Sequence, residues 1–262
     1  MEAANVSKSN NPKQNITDYD DINYESDFWS DRHYENIIEQ SIIKKMLNKS
    51  VSNFIDCGAG FGRLVPSYEK IIDKKIVLFD YSKKLLDSAK KKYGDKKNID
   101  FVQGSLYEIP FDDNFFDGGV SVRVLHHVED VPRFFSELNR VLKNNSVFIL
   151  EYANKRNVLE ITRAMFRRSK LHPFSIKPEN RSDIGLTINF HPRYIQTELI
   201  KHGFIIEKKV ASSIFRLSIL KRILGQKFLS TIEVQMPLFM KRLLISPSTF
   251  LRIRKVKDAK AN

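Results

Sequence analysis

Residues 54–62 read Phe54-Ile55-Asp56-Cys57-Gly58-Ala59-Gly60-Phe61-Gly62, and a second apolar run, Ile76-Val77-Leu78-Phe79, ends on Asp80. A short apolar run closed by spaced glycines predicts a buried strand, a tight turn and a helix start. The second run predicts a neighbouring strand with an acid at its tip. Glycines in such a turn let the backbone approach a ligand, and the acid accepts hydrogen bonds from a ribose diol. Together the two runs point to a nucleoside site.

The spacing narrows the ligand. A dinucleotide fingerprint is G-x-G-x-x-G, with a helix N-terminus aimed at a pyrophosphate. Here the pattern is D-x-G-x-G-x-G, through Asp56, Gly58, Gly60 and Gly62. An acid ahead of the first glycine opposes a pyrophosphate and suits a ligand with a cationic amine. A nicotinamide dehydrogenase is correspondingly disfavoured.

Outward from this motif, strands alternate with helices. Ile37, Ile38, Ile42, Ile43, Met46 and Leu47 have helical spacing and predict an amphipathic helix over 34–48. Strands are predicted at 52–57, 76–80, 99–103, 115–122 and 146–152. Helices are predicted at 63–72, from an Ser82 cap to Gly94, and at 131–142, with Pro132 in a first turn. Such alternation indicates βαβ units, a parallel sheet, and a ligand at the carboxyl ends of its strands. Beyond Tyr152 the pattern loosens. It predicts a helix at 158–166, a basic loop at 167–183, a helix opened by His191-Pro192, a strand at 204–210, a basic amphipathic helix at 214–229, an apolar run at 238–245 and a last strand at 248–256.

Further motifs follow the first. Phe101-Val102-Gln103-Gly104, Ile109-Pro110-Phe111, Asn114-Phe115-Phe116-Asp117, Val124-Leu125-His126-His127 and the run Phe134 to Leu142 with Glu137 and Arg140 complete a series over residues 52–152. With the D-x-G-x-G-x-G turn, this series resembles the class I S-adenosylmethionine-dependent methyltransferases, in particular the methyltransferase type 11 group. The resemblance implies an α/β fold: a Rossmann-like, seven-stranded, mainly parallel sheet with helices on both faces, an antiparallel final strand and a helical lid-like insertion. It implies S-adenosyl-L-methionine as cofactor. By position, Asp56, Gly58, Ala59, Gly60 and Gly62 match the glycine-rich turn beside the methionine portion. Asp80 matches the ribose acid, Tyr81 an adenine-packing position, and Ser105 and Leu106 the adenine border. The family usually has Asp where Ser105 stands, so a charge-assisted bond is replaced by a neutral one. Ser121, Val122 and Arg123 end the fourth strand and are expected beneath the sulfonium.

Methyl transfer needs alignment and a water-poor site, and a base only when the acceptor must lose a proton. His126 and Glu151 are the catalytic candidates. His127 and Tyr152 stand beside them with packing as the alternative role. Arg123 is expected to hold an anion or to pair with Glu129 or Asp130. His191, just before Pro192, reads as structural. Phe28, Trp29, His33 and Tyr34 either cover the cofactor or pack the first helix on the sheet. Ser121-Val122-Arg123-Val124 stands where amino-methylating relatives carry Asn/Asp-Pro-Pro-aromatic, so adenine-N6 and glutamine methylation are disfavoured. No cysteine follows the fourth strand, which argues against covalent cytosine-C5 chemistry. No His/Cys cluster has metal-ligand spacing, so no metal is expected.

The chain has 262 residues, 42% hydrophobic and 29% charged, which suits a globular domain with its own core. Cys57 is the single cysteine, so no intrachain disulfide framework forms and a reducing, cytoplasmic location is expected. Charge is unevenly spread: residues 1–152 carry a net −3 and residues 153–262 a net +16. The expected organisation is a disordered tail (1–18), an N-terminal helical cap (19–51), a cofactor-binding core (52–152) and a basic C-terminal half (153–262) that completes the sheet and forms a substrate-side lid. The expected acceptor is a small molecule, anionic or amphipathic, and the basic half also suits peripheral contact with an anionic membrane. Two rivals remain at this point. One is an RNA methyltransferase using the basic half, though no nucleic-acid module is recognisable there. The other is a non-catalytic S-adenosylmethionine-binding partner protein.

Overall fold

The computed structural model describes residues 29, 32–47, 51–182, 186–215, 218–236 and 246–256. Expectations for residues 1–18, Phe28 and 238–245 lie outside them. In chain order, α1 (His33–Met46) leads into β1 (Val51–Cys57), α2 (Val65–Tyr68), β2 (Ile72–Asp80), α3 (Lys83–Tyr93), β3 (Ile99–Gln103), β4 (Phe116–Ser121), α4 (Val131–Val141) and β5 (Leu142–Ala153). There follow α5 (Val158–Met165), a two-residue hairpin of β6 (Glu179–Asn180) and β7 (Ile188–Asn189), α6 (Pro192–Lys201), β8 (Phe204–Ser212), α7 (Ser218–Leu224), α8 (Gln226–Gln235) and β9 (Ser248–Lys255).

Seven strands form one sheet in the order β3-β2-β1-β4-β5-β9-β8. The first five pair in parallel, and β9 runs antiparallel to both β5 and β8. The antiparallel final strand and the Rossmann-like sheet are as expected. The chain winds from β1 outward to β3, then crosses back to β4 on the other side of β1. That reversal opens a crevice at the carboxyl ends of β1 and β4, where open α/β sheets bind ligands.

Both faces of the sheet are buried, which explains the unbroken apolar runs. Phe54, Ile76, Leu78 and Ile149 face one layer with Tyr34, Ile38 and Ile42 of α1. Ile55, Val77, Phe79, Phe148 and Leu150 face the other, with Phe134, Phe135 and Leu138 of α4 and Ile195 and Leu199 of α6. Each fully buried Phe, Leu or Ile contributes about 1.5–3 kcal/mol. Ser82 Oγ accepts from Leu85 N–H, the predicted cap; at α4 Pro132 sits in the first turn as expected, and Asp130, not foreseen as a cap, accepts from Arg133 N–H. His191 is structural as read; its Nδ1 accepts from Arg193 N–H and caps α6.

Three expectations are corrected. The helix placed at 63–72 is only α2 and one 3₁₀ turn (Glu69–Ile71), because the chain from Ile72 is drawn into β2 by pairing with Val51. The helix placed at 214–229 is two helices, broken at Gly225, whose φ of +76° suits glycine and ends α7. The β6–β7 hairpin was not foreseen, since two-residue strands carry no periodicity. Among the described residues, no helix is long and apolar enough to cross a membrane.

Close packing at the sheet centre gives a test. A Cβ on Gly119 of β4 would lie 2.6 Å from Ile55 O and 2.7 Å from Phe148 Cε2. Gly119→Ala is expected to lower unfolding free energy by about 1–3 kcal/mol in urea titration.

Candidate functional site

The turn after β1 is tied to the end of β2 through the backbone. Gly58 and Ala59 N–H both donate to Phe79 O (2.7 and 3.1 Å). Gly60 N–H donates to Asp80 Oδ2 at 2.7 Å, and Ser82 N–H to Asp80 Oδ1 at 2.8 Å. Gly58 and Gly60 adopt φ of +77° and +53°. At Gly58 a Cβ would meet Val124 Cγ2 at 2.2 Å, whereas at Gly60 it would find nothing nearer than Leu85 Cδ1 at 3.8 Å. Gly58 therefore serves close packing, and Gly60 keeps backbone bare beside open space.

That space is a cavity of about 470 Å³ at the predicted crevice. Gly58, Ala59, Gly60, Asp80, Tyr81, Ser105 and Leu106 all line it, as the sequence placed them. Val122 and Arg123 line it from the end of β4, with Gln103, Tyr107, Val124, His127 and Val128. Trp29 and Arg63 close one side.

Five predicted residues are not brought to the cavity. Asp56 is fully buried behind the turn and accepts from Tyr68 Oη at 2.6 Å, while its Oδ1 has no hydrogen-bond partner among the described residues. Burial, aided by nearby Asp80 and opposed by Tyr68 and Arg63, pushes its carboxyl up to about 7. Gly62, with φ +75°, sits against the Tyr93 ring of α3 and serves packing. Ser121 is buried, its Oγ without a partner among the described residues, and the next residue, Val122, is the one that lines the cavity. Glu151 is buried away from the cavity: Oε2 accepts Arg123 N–H at 2.9 Å and Oε1 accepts Ser248 Oγ at 2.6 Å. The His126 ring lies against that of His127, centroids 3.9 Å apart and planes tilted by 48°, and it is His127 that lines the cavity. His127 Nδ1 lies 2.9 Å from Leu186 O, a carbonyl that only accepts, so Nδ1 carries the proton and Nε2 the lone pair. Burial holds His127 below its ordinary range and therefore neutral at pH 7.

Sequence reasoning also missed Glu39. Arg123 pairs with this α1 residue (2.6 Å), rather than with Glu129 or Asp130, and Arg63 binds the other carboxylate oxygen at 2.8 Å. Arg63 lies 3.7 Å and Arg123 5.2 Å from the Trp29 ring centroid, so indole and guanidiniums form one roof. Burial acts to raise Glu39, but Arg123 and Arg63 outweigh it and leave the carboxyl below its usual range. An acid between Ile38 and Ile42 on a core-facing helix was the available signal. Arg123 itself has φ +61°, a conformation that Glu151 fixes by binding its N–H.

Residues 55–150 match a family described as methyltransferase domain. Over residues 55–150 the chain is therefore similar to class I methyltransferase domains of the type 11 group. It is 30% identical over 145 residues to a demethylmenaquinone methyltransferase of Chlorobaculum tepidum, covering 54% of this chain and 57% of the relative. It is 37% identical over 82 residues to a 2-phytyl-1,4-naphtoquinone methyltransferase of Nostoc, covering 30% and 36%. The chain thus spans less than two thirds of the curated relatives it matches. A Listeria monocytogenes protein, assigned as an S-adenosylmethionine-dependent methyltransferase, shares the fold with a TM-score of 0.62 at 18% identity, over 86% of this chain and 99% of that one. The methyltransferase domain's cofactor is S-adenosylmethionine. The bare backbone at Gly60 and the carboxylate of Asp80 fit its nucleoside, with Tyr81, Ser105 and Leu106 at the cavity edge. Among the described residues, no group of three or more His, Cys, Asp or Glu is placed to hold a metal ion.

Asp56 provides a pH test. Its folded value, about 7, exceeds the ordinary 3.8, so the folded state takes up the proton more readily. Its stabilising effect is complete below the ordinary value and is lost as pH rises through about 7. Asp56→Asn is therefore expected to gain on wild type by roughly 1–3 kcal/mol between pH ~5 and ~8. Urea midpoints at both pH values measure this; a constant gap overturns it.

Proposed function

We propose that the protein is an S-adenosylmethionine-dependent methyltransferase acting on a small amphipathic acceptor of quinol type. The observation that carries this is the Gly60–Asp80 hydrogen bond: bare backbone and a carboxylate share one wall of the crevice cavity, which supports a ribose-binding role for Asp80. The cofactor supplies an electrophilic methyl group on a sulfonium. This chain's residues position and enclose it: Asp80 takes the ribose diol, Tyr81 and Leu106 flank the base, and the Trp29–Arg63–Arg123 roof excludes water. Val124, Val128, Tyr107 and His127 offer an acceptor an apolar, partly aromatic wall with one imidazole. The relatives named for naphthoquinone-type acceptors support a flat ring bearing a hydroxyl.

His127 is the base in this reading. Its Nε2 takes the acceptor's hydroxyl proton while Leu186 O holds Nδ1–H and so fixes the tautomer. Neutrality at pH 7, a consequence of burial, keeps that nitrogen competent.

Two measurements test the proposal. In calorimetric titration, S-adenosylmethionine and S-adenosylhomocysteine are expected to bind saturably. Asp80→Asn, which keeps the shape of the side chain, should weaken both by about 10-fold or more. Folded protein that binds neither at millimolar ligand overturns the reading. With a short-chain naphthohydroquinone as acceptor, His127→Gln should lower kcat by about 10²-fold or more. Cofactor affinity should stay unchanged, and the acidic limb of the wild-type pH profile should disappear.

A further inference from the structure

Between Ala153 and Phe190 the chain leaves the carboxyl edge of the sheet and returns to it. The excursion is anchored at its base, where Lys155 N–H donates to Phe190 O at 3.0 Å and Asn154 N–H to Pro247 O at 2.8 Å. Two acids hold its shape. Glu160 accepts from Arg163 (2.5 Å) and Ser169 Oγ (2.7 Å) and lies 3.3 Å from Arg181. Glu179 binds buried Lys155 (2.8 Å) and His172 N–H (2.7 Å).

On this framework the excursion exposes side chains that a solvated surface does not favour. Met165 is 76% exposed, Phe166 70%, Phe174 66% and Ile176 50%. Met165 and Phe174 line one open groove with Arg167, His172 and Pro173. Residues 155–182 hold eight Lys and Arg against the two acids just described. Arg156, Arg163, Arg167, Arg168, Lys170 and Lys177 of the same segment are exposed, with Arg167 on the groove beside Met165 and Phe174. Large exposed apolar groups set among cations are the composition of an interfacial membrane surface: rings and thioether enter the acyl boundary and cations meet anionic headgroups.

We infer that the 154–190 excursion seats the protein on an anionic lipid bilayer through Met165, Phe166, Phe174 and Ile176, with Arg167, Arg168, Lys170 and Lys177 against the headgroups. The basic amphipathic segment at 214–229 is the weaker candidate, because α8 turns Leu229, Ser230 and Glu233 into the fold. The excursion also carries Leu186, whose carbonyl holds His127 at the cavity wall. Seating it would bring the cavity to the bilayer surface, where an amphipathic acceptor resides; this last point rests on the proposed function, whereas the docking itself does not.

Co-sedimentation with vesicles tests the inference. Vesicles of phosphatidylcholine alone are compared with vesicles in which about a third is phosphatidylglycerol. Wild-type protein should pellet with the anionic vesicles only, and less so as salt rises. The double variants Phe166→Ser/Phe174→Ser and Arg167→Gln/Arg168→Gln should each bind about 10-fold more weakly. Circular dichroism and S-adenosylmethionine titration on the same preparations establish that the variants are folded. Failure of wild type to pellet overturns the inference, and retained cofactor binding then leaves the methyltransferase reading standing. Vesicle binding that Phe166→Ser/Phe174→Ser leaves intact also overturns it, since contact would then be purely electrostatic. So does binding of polyuridine RNA, sensitive only to the arginine variant, in the absence of vesicle binding.

Discussion

Three backbone N–H groups at the end of β1 depend on two residues at the end of β2. Gly58 and Ala59 share Phe79 O, and Gly60 binds the Asp80 carboxylate. This junction presupposes the register that pairs Cys57 with Phe79. A slip of one residue would move Asp80 off the turn and would also send Val77 and Phe79 to the opposite layer of the core. Core packing and site geometry are thus one constraint. The specific packing of the two buried layers that makes the sheet stable also selects the register that builds the cavity wall.

The other side of the cavity is held by buried charge. Glu39 is wholly enclosed, and burying a carboxylate costs several kcal/mol unless it is paired. Arg63 and Arg123 pair with its two oxygens and frame Trp29, so one acid on α1 sets two cations on the cavity side. A second buried acid, Glu233 on α8, works in the same way. It accepts the Tyr34 hydroxyl of α1 and the N–H groups of Ser213 and Ile214 after β8. Both helices of this layer are therefore located by polar contacts that have definite direction, on top of apolar burial that has none.

The strands, several helix starts and one wall of the cavity were legible in the sequence because they rest on local rules. Apolar runs mark buried strands, Ser82 marks a cap, and glycines at a strand end mark a turn. Seven of the ten residues assigned to the cofactor line the cavity. Asp56, Gly62 and Ser121 do not, for a reason that spacing cannot reveal: along an extended chain successive side chains point to opposite faces, and whether an acid at a strand end turns outward depends on partners such as Tyr68 twelve residues on. The exchange of His126 for His127 has the same origin. Their facing follows from a single 3₁₀ turn, Leu125–His127, and from a carbonyl at Leu186. Glu39 finds its two arginines, and Glu151 the Arg123 N–H and the Ser248 hydroxyl, across large sequence separations, and no pattern along the chain encodes those contacts. The short α2 and the break at Gly225 were missed because pairing of Ile72 and one left-handed glycine override local helical preference.

The placement of β9 has a consequence for synthesis. It lies between β5 and β8 yet follows both in the chain, so the edge of β5 stays unpaired while roughly a hundred further residues are made. Exposed parallel-sheet edges recruit other strands. During that interval the nascent protein offers an open ladder, and β8 has nothing to pair with. Ser248, the first residue of β9, is also the donor that holds Glu151, which holds Arg123 in its left-handed conformation. Closure of the sheet and completion of the cavity wall are consequently a single late event in folding: a chain halted before β9 has the glycine turn but neither a sealed edge nor a settled Arg123.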